Sequence, residues 1–332
     1  MGVKSTNGSA SVPGRSLRAA VLTGGVGEER EVSIESGGCV ARALKEAGVN
    51  VTTFDIAPGR LDALDEDAEV FFIALHGRFG EDGELQAILE SKGLVYTGSG
   101  PEASRLAFDK LASKQRFMKA KVMTPRAVVF DPRKARTELV RELNQIKGRY
   151  VVKPLRQGSS IGVTIADEPG AALVQAQQCF ETFGDCMIEE YIPGREFTVG
   201  ILGDKALPII EIRARNGFYD YHAKYVDERT EFLFDTIEDA SLVERLNRSA
   251  LTCSKCLGCR HFSRVDFLVD AKQNVYALEI NTIPGFTTHS LLPHAAAKAG
   301  LSMGRLCLNI IEAALAGGGC ECAVKGTMDG GI

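Results

Sequence analysis

One pair of segments in this chain has the residue types and the spacing of a metal site. Arg264 and Asp266 lie in a run rich in Val, Phe and Leu, and a polar turn separates it from a second apolar run that leads into Glu279 and Asn281. Two such runs predict a pair of antiparallel strands. A turn centred on residues 272–273 places Asp266 opposite Glu279 and Arg264 opposite Asn281. Because strand side chains alternate between faces, all four should lie on one face.

The expected hairpin offers three oxygen ligands and one cation. Mg2+ is usually held by one or two carboxylates, several waters and the phosphates of a substrate. Asp266, Glu279 and Asn281 therefore suit a metal ion bound to a nucleotide better than a metal ion enclosed by protein alone. The hairpin by itself leaves an alternative open, a solvent-exposed acidic turn that binds nothing.

A second segment combines a lysine with a loop rich in backbone donors. Lys153 lies at the end of the apolar run 150–154, and the loop 157–162 that follows contains Ser159 and Ser160 between glycines. Backbone N–H groups and an ammonium group can neutralise the charge that develops during phosphoryl transfer. No Gly-Lys-Ser/Thr sequence follows, so this is not a Walker loop, and a plain hairpin turn is the alternative.

A third segment predicts a hinge between domains. A short apolar strand is followed by Glu189, Glu190 and Ile192. Pro193-Gly194 comes next and should interrupt regular secondary structure. Hinges between domains commonly line ligand clefts, where exposed backbone groups can bind the edge of an adenine. A surface loop would have the same composition.

The composition indicates a soluble cytoplasmic enzyme. The chain has 332 residues, 45% of them hydrophobic and 25% charged, with a formal net charge of -4. This charge predicts neither nucleic acid nor an acidic membrane surface as a partner. No apolar run reaches the roughly 18 residues that span a bilayer, and residues 1–16 lack the apolar core of a signal peptide. We expect residues 1–16 to be a flexible leader and residues 317–332 to be disordered.

The chain contains nine cysteines, of which Cys253, Cys256 and Cys259 have a spacing seen in iron–sulfur sites. The usual cluster run continues to a cysteine followed by proline, which is absent here, and the three residues end an apparently helical stretch, 241–257. Reduced cytosolic thiols are therefore the favoured interpretation, and a cluster is the alternative.

Alternating strands and helices predict an α/β fold that opens with a doubly wound parallel sheet. The glycines at 24–27 lack the third glycine of a dinucleotide fingerprint, since Arg30 stands there, so a nicotinamide enzyme is not favoured. The opening sheet is predicted from strands at 18–23, 51–55, 70–75 and 94–97 and helices at 32–47 and 85–92. The predicted domains are 17–108, 109–192 and 193–316.

Three of these segments, in the order in which they occur, resemble the ATP-grasp fold. They are the lysine with its glycine–serine loop, the acidic hinge and the distal Asp with Glu-x-Asn. Four blocks are more narrowly similar to the D-alanine–D-alanine ligase family. They are residues 75–83, 96–100, 218–225 and 279–285. The resemblance covers about residues 18–315, and it implies a three-domain ATP-grasp architecture, a homodimer, and ATP as co-substrate with two Mg2+ ions, or Mn2+ in their place.

The resemblance also implies a reaction and a set of ATP contacts. The carboxylate of one D-alanine takes the γ-phosphoryl group of ATP, and the amine of a second D-alanine displaces phosphate, which yields the terminal dipeptide of peptidoglycan. The implied ATP contacts are Lys110, Lys153, Lys224, Ser159 and Ser160 at the phosphates, Glu189, Glu190 and Ile192 at the adenine, and Glu196 at the ribose. Asp266, Glu279 and Asn281 are the implied metal ligands.

The implied substrate contacts lie in other parts of the chain. They are Glu29 at the ammonium of the first D-alanine, His76 beside the substrates, Arg264 and the N–H of Gly285 at the oxyanion, Ser290 and Leu291 at the second carboxylate, and Ser159 and Tyr225 in a hydrogen-bonded set with Glu29. Tyr225 favours an amine as second substrate. The alternatives are a ligase that forms an ester with D-lactate and a non-catalytic nucleotide-binding regulator.

Overall fold

The computed structural model describes residues 16–214 and 230–317, which form three sheets, each from a continuous part of the chain. The first sheet is parallel, with strand order β2-β1-β3, and has helices on both faces as predicted. Its elements are β1 Arg18–Gly24, α1 Arg30–Glu46, β2 Asn50–Ile56, a short 3-10 helix Asp62–Asp65, β3 Val70–Ile73, α2 Glu84–Ser91 and α3 Pro101–Phe108.

The fourth strand predicted for this sheet, at 94–97, is present only as a short parallel contact with β3, in which the Val95 carbonyl accepts the Phe71 N–H at 2.8 Å and the Thr97 N–H donates to the Phe71 carbonyl at 3.0 Å. The segment forms only one isolated parallel bridge, between Phe71 and Tyr96. Beyond it the Thr97 hydroxyl accepts the Ile73 N–H at 3.1 Å, a bond that a neighbouring strand would supply from its backbone. Gly98 then adopts a φ of +94°, which turns the chain away from the sheet.

The second sheet is antiparallel with strand order β4-β7-β5-β6. β5 begins and ends where the sequence predicted, whereas α6 was not predicted. The elements of this part are α4 Lys110–Lys119, β4 Ala127–Val129, α5 Arg136–Leu143, β5 Tyr150–Pro154, β6 Thr164–Ala166, α6 Pro169–Phe183 and β7 Cys186–Glu190.

The third sheet is also antiparallel, with strand order β11-β10-β8-β12-β13 and β9 beside β8. Its elements are β8 Gly194–Leu202, β9 Lys205–Ala206, β10 Ile210–Arg213, β11 Glu231–Leu233, α7 Ala240–Leu257, β12 Phe262–Asp270, β13 Val275–Asn281, α8 Leu291–Lys298 and α9 Met303–Gly317. α4 packs on α7 and β13 of this sheet, and its Phe117 is buried there. The predicted domain boundaries at 109 and 193 stay a prediction.

β12 and β13 form the predicted hairpin, with Asp266 opposite Glu279 and Arg264 opposite Asn281. The turn is not centred where the sequence predicted, because Val269 pairs with Val275. A bulge next to Asp266 adds one residue to β13 and restores the predicted pairs. A bulge also changes the direction of a side chain. Leu278 and Glu279 therefore line the same cleft, although neighbours in a regular strand point to opposite faces.

No single helix among residues 16–214 and 230–317 is long and apolar enough to cross a membrane. α8 and α9 meet the criteria of length and composition only as a pair bent by 101°. Leu306 and Ile310 of α9 are fully buried in the core.

Three buried phenylalanines join the first sheet to the third. Phe72 lies on β3, Phe262 begins β12, and Phe286 follows β13. The rings of Phe72 and Phe286 meet edge to face at a centroid distance of 5.4 Å, and those of Phe262 and Phe286 at 5.6 Å. Such pairs add stability beyond the apolar area that they bury.

We expect Phe72→Ala to lower the free energy of unfolding by about 3–5 kcal/mol, because it removes a fully buried ring and leaves a cavity. Chemical denaturation followed by circular dichroism measures this change. Phe183→Ala is the matched control, since this ring is 39% exposed and its loss should cost far less. Equal losses in the two variants would contradict this role of the cluster.

Candidate active site

Two adjoining clefts collect the residues predicted to carry chemistry. The larger, of about 440 Å³, lies between the second and third sheets, and the smaller, of about 120 Å³, lies beside it near the first sheet. Lys110, Gln157 and Glu279 line both. Every predicted site residue within the described part of the chain lines one of these clefts. Lys224 and Tyr225 lie outside the described residues.

Ion pairs hold the acidic side chains of the β12–β13 hairpin. Arg264 donates from Nε and a terminal nitrogen to the two oxygens of Asp266, at 2.9 and 2.8 Å. Thr198 adds a hydroxyl donor to Asp266 at 2.6 Å. Lys110 lies 3.1 Å from Glu279 and donates at 2.7 Å to the carbonyl of Gln157, so it links the hairpin to the glycine–serine loop.

The oxygens of the hairpin fit a hard divalent cation that also binds phosphate. Asp266, Glu279 and Asn281 offer only oxygen donors, as Mg2+ prefers. Asn281 already accepts the Ile283 N–H at 3.0 Å through Oδ1. Within the described ranges, no group of three or more His, Cys, Asp or Glu side chains is arranged to hold a metal. Asp266, Glu279 and Asn281 alone would fill only part of the coordination shell of such an ion.

A buried carboxylate in the larger cleft binds two lysines. Glu189 is 1% exposed, and its two oxygens lie 2.5 Å from the ammonium groups of Lys114 and Lys153. Burial acts to raise the pKa of Glu189, but the charges of the two lysines outweigh it and leave this pKa lowered. Glu189 was expected at the adenine, yet its carboxylate is committed to these lysines.

Lys114 was missed by the sequence reasoning. A signal was present, since residues four apart on a helix share a face and Lys114 lies one turn after Lys110 on α4. Burial lowers the pKa of Lys114, whereas the charge of Glu189 acts to raise it. The partner of Lys114 is 75 residues away along the chain, and no spacing in the sequence indicates that contact.

The glycine–serine loop is closed onto Glu29. The Ser159 hydroxyl donates to Oε1 of Glu29 at 2.5 Å. A Cβ built on Gly158 would lie 2.8 Å from the same oxygen, and one built on Gly77 would lie 2.5 Å from Oε2. Ser159 and Ser160 have φ values of 54° and 57°, which side chains with a Cβ rarely adopt. The loop is therefore held in a strained conformation above the carboxylate.

His76 belongs to a chain of hydrogen bonds that joins the first sheet to the segment after β13. His76 Nδ1 lies 3.0 Å from the carbonyl of Ile283, which can only accept, so Nδ1 carries the proton. Nε2 then accepts from the Ser36 hydroxyl at 3.0 Å, and Ser36 accepts the N–H of Phe286 at 3.2 Å. Burial lowers the pKa of His76 to about 4, which keeps the ring neutral.

Glu81 is a second carboxylate beside Glu29 that the sequence reasoning did not assign. It is 8% exposed and accepts the Gly77 N–H at 2.7 Å. Burial and the neighbouring charge of Glu29 raise the pKa of Glu81 to about 8. It lies in the glycine-rich block 75–83, so its place in the sequence was visible although its burial was not.

Comparison with known proteins identifies the family. The family model described as the C-terminus of D-ala D-ala ligase matches residues 125–312. A D-alanine–D-alanine ligase of Citrifermentans bemidjiense is 42% identical over 301 residues, which cover 90% of this chain and 96% of that protein. The chain belongs to the D-alanine–D-alanine ligase family. A family member from Nitrosospira multiformis is 40% identical over 90% of this chain and 97% of its own length.

Solved structures agree with this assignment. The D-alanine–D-alanine ligase of Bacillus anthracis complexed with ATP has a TM-score of 0.81 and 32% identity, covering 91% of this chain and 98% of its own. The VanG D-Ala:D-Ser ligase of Enterococcus faecalis has a TM-score of 0.79 and 26% identity, covering 90% and 100%. These two ligases are named for different second amino acids, so this fold alone does not determine that substrate.

One residue predicted from the family, Ser290, has contacts that restrict its role. The Ser290 N–H donates to the carbonyl of Thr287 at 3.1 Å, so in this arrangement it does not point to a ligand as predicted. The Ser290 hydroxyl accepts the Thr287 N–H at 2.9 Å and lies 2.6 Å from the position that a Cβ on Gly285 would occupy. Leu291 begins α8 and lines the smaller cleft.

All three predicted hinge residues, Glu189, Glu190 and Ile192, line the larger cleft, and so does Glu196. The Glu190 N–H is already bound to the carbonyl of Arg126 at 2.8 Å. Val151, Leu268, Leu278 and Ile192 add apolar surface to this cleft. A flat aromatic base fits such a surface, with polar groups at its rim.

The cysteines at 253, 256 and 259 lie at the end of α7 and just beyond it. Burial raises the pKa of each thiol, to about 11 for Cys259. Metal ligation requires the thiolate, which a raised pKa disfavours. These thiols are therefore protonated at neutral pH.

We expect the free energy of unfolding of His76→Gln to fall less than that of the wild type as the pH is lowered below neutrality. A pKa lowered by folding contributes stability above the unfolded value of about 6.5 that is lost as pH falls towards 4. Between pH 7.5 and 4.5 the wild type should lose about 2–3 kcal/mol more than His76→Gln. Urea denaturation at both pH values measures this difference. Ser36→Ala retains the buried ring and should keep the wild-type slope, whereas an unchanged slope in His76→Gln would contradict the assignment.

Proposed function

We propose that this protein is an ATP-dependent ligase that joins two molecules of D-alanine into D-alanyl-D-alanine. The observation that carries the proposal is the pair of adjoining clefts with Lys110 and Glu279 in their shared wall. ATP in the larger cleft would direct its terminal phosphate at this wall, towards a carboxylate in the smaller cleft. The names of the relatives state the same reaction.

The first step transfers the γ-phosphoryl group of ATP to a carboxylate oxygen of one D-alanine, which releases ADP and leaves an acyl phosphate. Lys110 and Lys153 would neutralise the phosphate charges, and backbone N–H groups of the loop 157–162 would add donors. Glu29 would bind the ammonium of this D-alanine, in the orientation that its bond to Ser159 fixes. The closed loop would keep water away from the acyl phosphate.

In the second step the amine of the other D-alanine, after losing a proton, attacks the acyl carbon, and inorganic phosphate leaves. The tetrahedral intermediate places negative charge on oxygen, which Arg264 and the Gly285 N–H would stabilise. The free carboxylate of this D-alanine would lie at the N-terminus of α8, where the Leu291 N–H and the helix dipole favour an anion.

We infer that divalent metal ions accompany ATP, two Mg2+ or Mn2+ in their place, held by Asp266, Glu279 and Asn281. When bound, the ions would neutralise charge on the transferred phosphoryl group. The oxygen donor set supports this inference. Arg264 and Lys110, which now pair with Asp266 and Glu279, would then turn towards substrate and phosphate.

The biological role of the product and the partners of the protein are proposed from the same reaction. The product is the dipeptide that ends peptidoglycan precursors, made from small-molecule substrates in the cytoplasm. A homodimer is proposed from the family. The net charge of -4 supports neither nucleic acid nor an acidic membrane surface as a partner.

The deciding experiment is phosphate release from Mg-ATP with D-alanine, with L-alanine, and with D-alanine mixed with D-serine or D-lactate, the products being identified by mass. We expect release with D-alanine alone and D-alanyl-D-alanine as the product. A mainly mixed dipeptide or an ester would reassign the second substrate. ATP binding without release under any condition would favour a nucleotide-binding regulator, and chelation of metal should stop release reversibly.

We expect Arg264→Met to lower kcat about 100- to 1,000-fold, because it removes one donor to the oxyanion. The KM for ATP should change much less at saturating Mg2+, since Arg264 lines only the smaller cleft. Arg248→Met is the control, an exposed arginine on α7. A loss of less than ten-fold in kcat would exclude this role for Arg264.

A further inference from the structure

The carboxylate of Glu189 lies between two ammonium groups that face different surroundings. Lys153, on β5, lines the larger cleft, whereas Lys114, on α4, is 2% exposed and lines neither cleft. Each lysine takes one oxygen of Glu189 at 2.5 Å. One ammonium is thus directed at the ligand and the other at the interior.

Lys114 is fully occupied by its surroundings. Its ammonium donates to Oε1 of Glu189 at 2.5 Å, to the Thr124 hydroxyl at 2.7 Å and to the Pro125 carbonyl at 2.7 Å. Three acceptors match the three N–H bonds of an ammonium group. Lys114 therefore has no donor left for a ligand, and any effect on ATP must pass through Glu189.

The net charge of Lys114, Lys153 and Glu189 affects how strongly the cleft attracts phosphates. A buried pair of Glu189 and Lys153 alone would be neutral, and the carboxylate would cancel the charge that Lys153 offers to phosphates. With Lys114 on the other oxygen, the three groups together carry one positive charge. Interaction with Glu189 also keeps Lys153 charged, since it raises the pKa of Lys153 against the effect of burial.

We propose that Lys114 is a positioning residue for ATP: it balances the charge of Glu189, so that Glu189 holds the Lys153 ammonium in place without cancelling its attraction for phosphates. This inference rests on the proposed function, in which Lys153 binds the phosphates of ATP. It assigns Lys114 no contact with substrate.

The test is direct binding of Mg-ADP and of adenosine to the full chain by calorimetry, which needs no turnover and so does not depend on the ligase reaction. We expect Lys114→Met to weaken ADP about ten-fold or more, the equivalent of about 1.4 kcal/mol, and adenosine less than two-fold. The control is Lys119→Met, which removes an exposed lysine of the same helix. Equal losses for ADP and adenosine would show that Lys114 only supports the hinge, and would overturn the proposal.

A second variant separates charge balance from packing. The double variant Lys114→Met with Glu189→Gln removes both buried charges and leaves Lys153 as the one ammonium of the group, hydrogen-bonded to a neutral amide oxygen. We expect its ADP affinity to return to within about five-fold of the wild type, because the net charge of the group is restored. A larger loss would overturn the proposal. If thermal unfolding shows that Lys114→Met alone does not fold, the double variant alone tests the proposal, with the same five-fold limit on the loss of ADP affinity.

Discussion

The pairing of β12 with strands on both sides is the constraint on which the site depends. β8 and β13 bind the two edges of β12, so its side chains can only alternate between the core and the cleft. The bulge in β13 then sets which oxygens share a face with Asp266. Without it, Glu279 and Asn281 would move to the opposite side of the sheet, and the three residues predicted to bind metal would lie on different faces.

Ion pairs prepare this surface before any ligand arrives. Arg264 is paired with Asp266, Lys110 with Glu279, and Lys153 with Glu189. Charges in a partly buried cleft are costly unless they are paired, so each cation needs a carboxylate partner in the free protein. Binding of metal and nucleotide would exchange these partners rather than create charge interactions from nothing, which limits the rearrangement to a few side chains.

The sequence predicted much of this arrangement because short-range periodicity determined it. The limits of β5 and the shared face of Arg264 and Asp266 on β12 follow from local patterns over fewer than twenty residues. What the sequence did not reveal depends on contacts between distant segments. The Lys114 contact joins α4 to β7, the end of the strand expected at 94–97 depends on a side-chain bond to β3, and the compensating bulge depends on how β13 packs on its neighbours. α6 was missed although its periodicity is local.

The close fit of Gly77 and Gly158 around Glu29 has a consequence for how this sequence can diverge. A methyl group at either glycine would overlap the carboxylate, and Gly77 also has a φ of +69°. A larger residue at Gly77 or Gly158 can therefore be accommodated only if the side chain at Glu29 changes as well. Drift at this point would have to proceed by coupled substitutions, so in an evolving lineage it should be among the slowest parts of the chain to change, whatever happens to the helices that surround it.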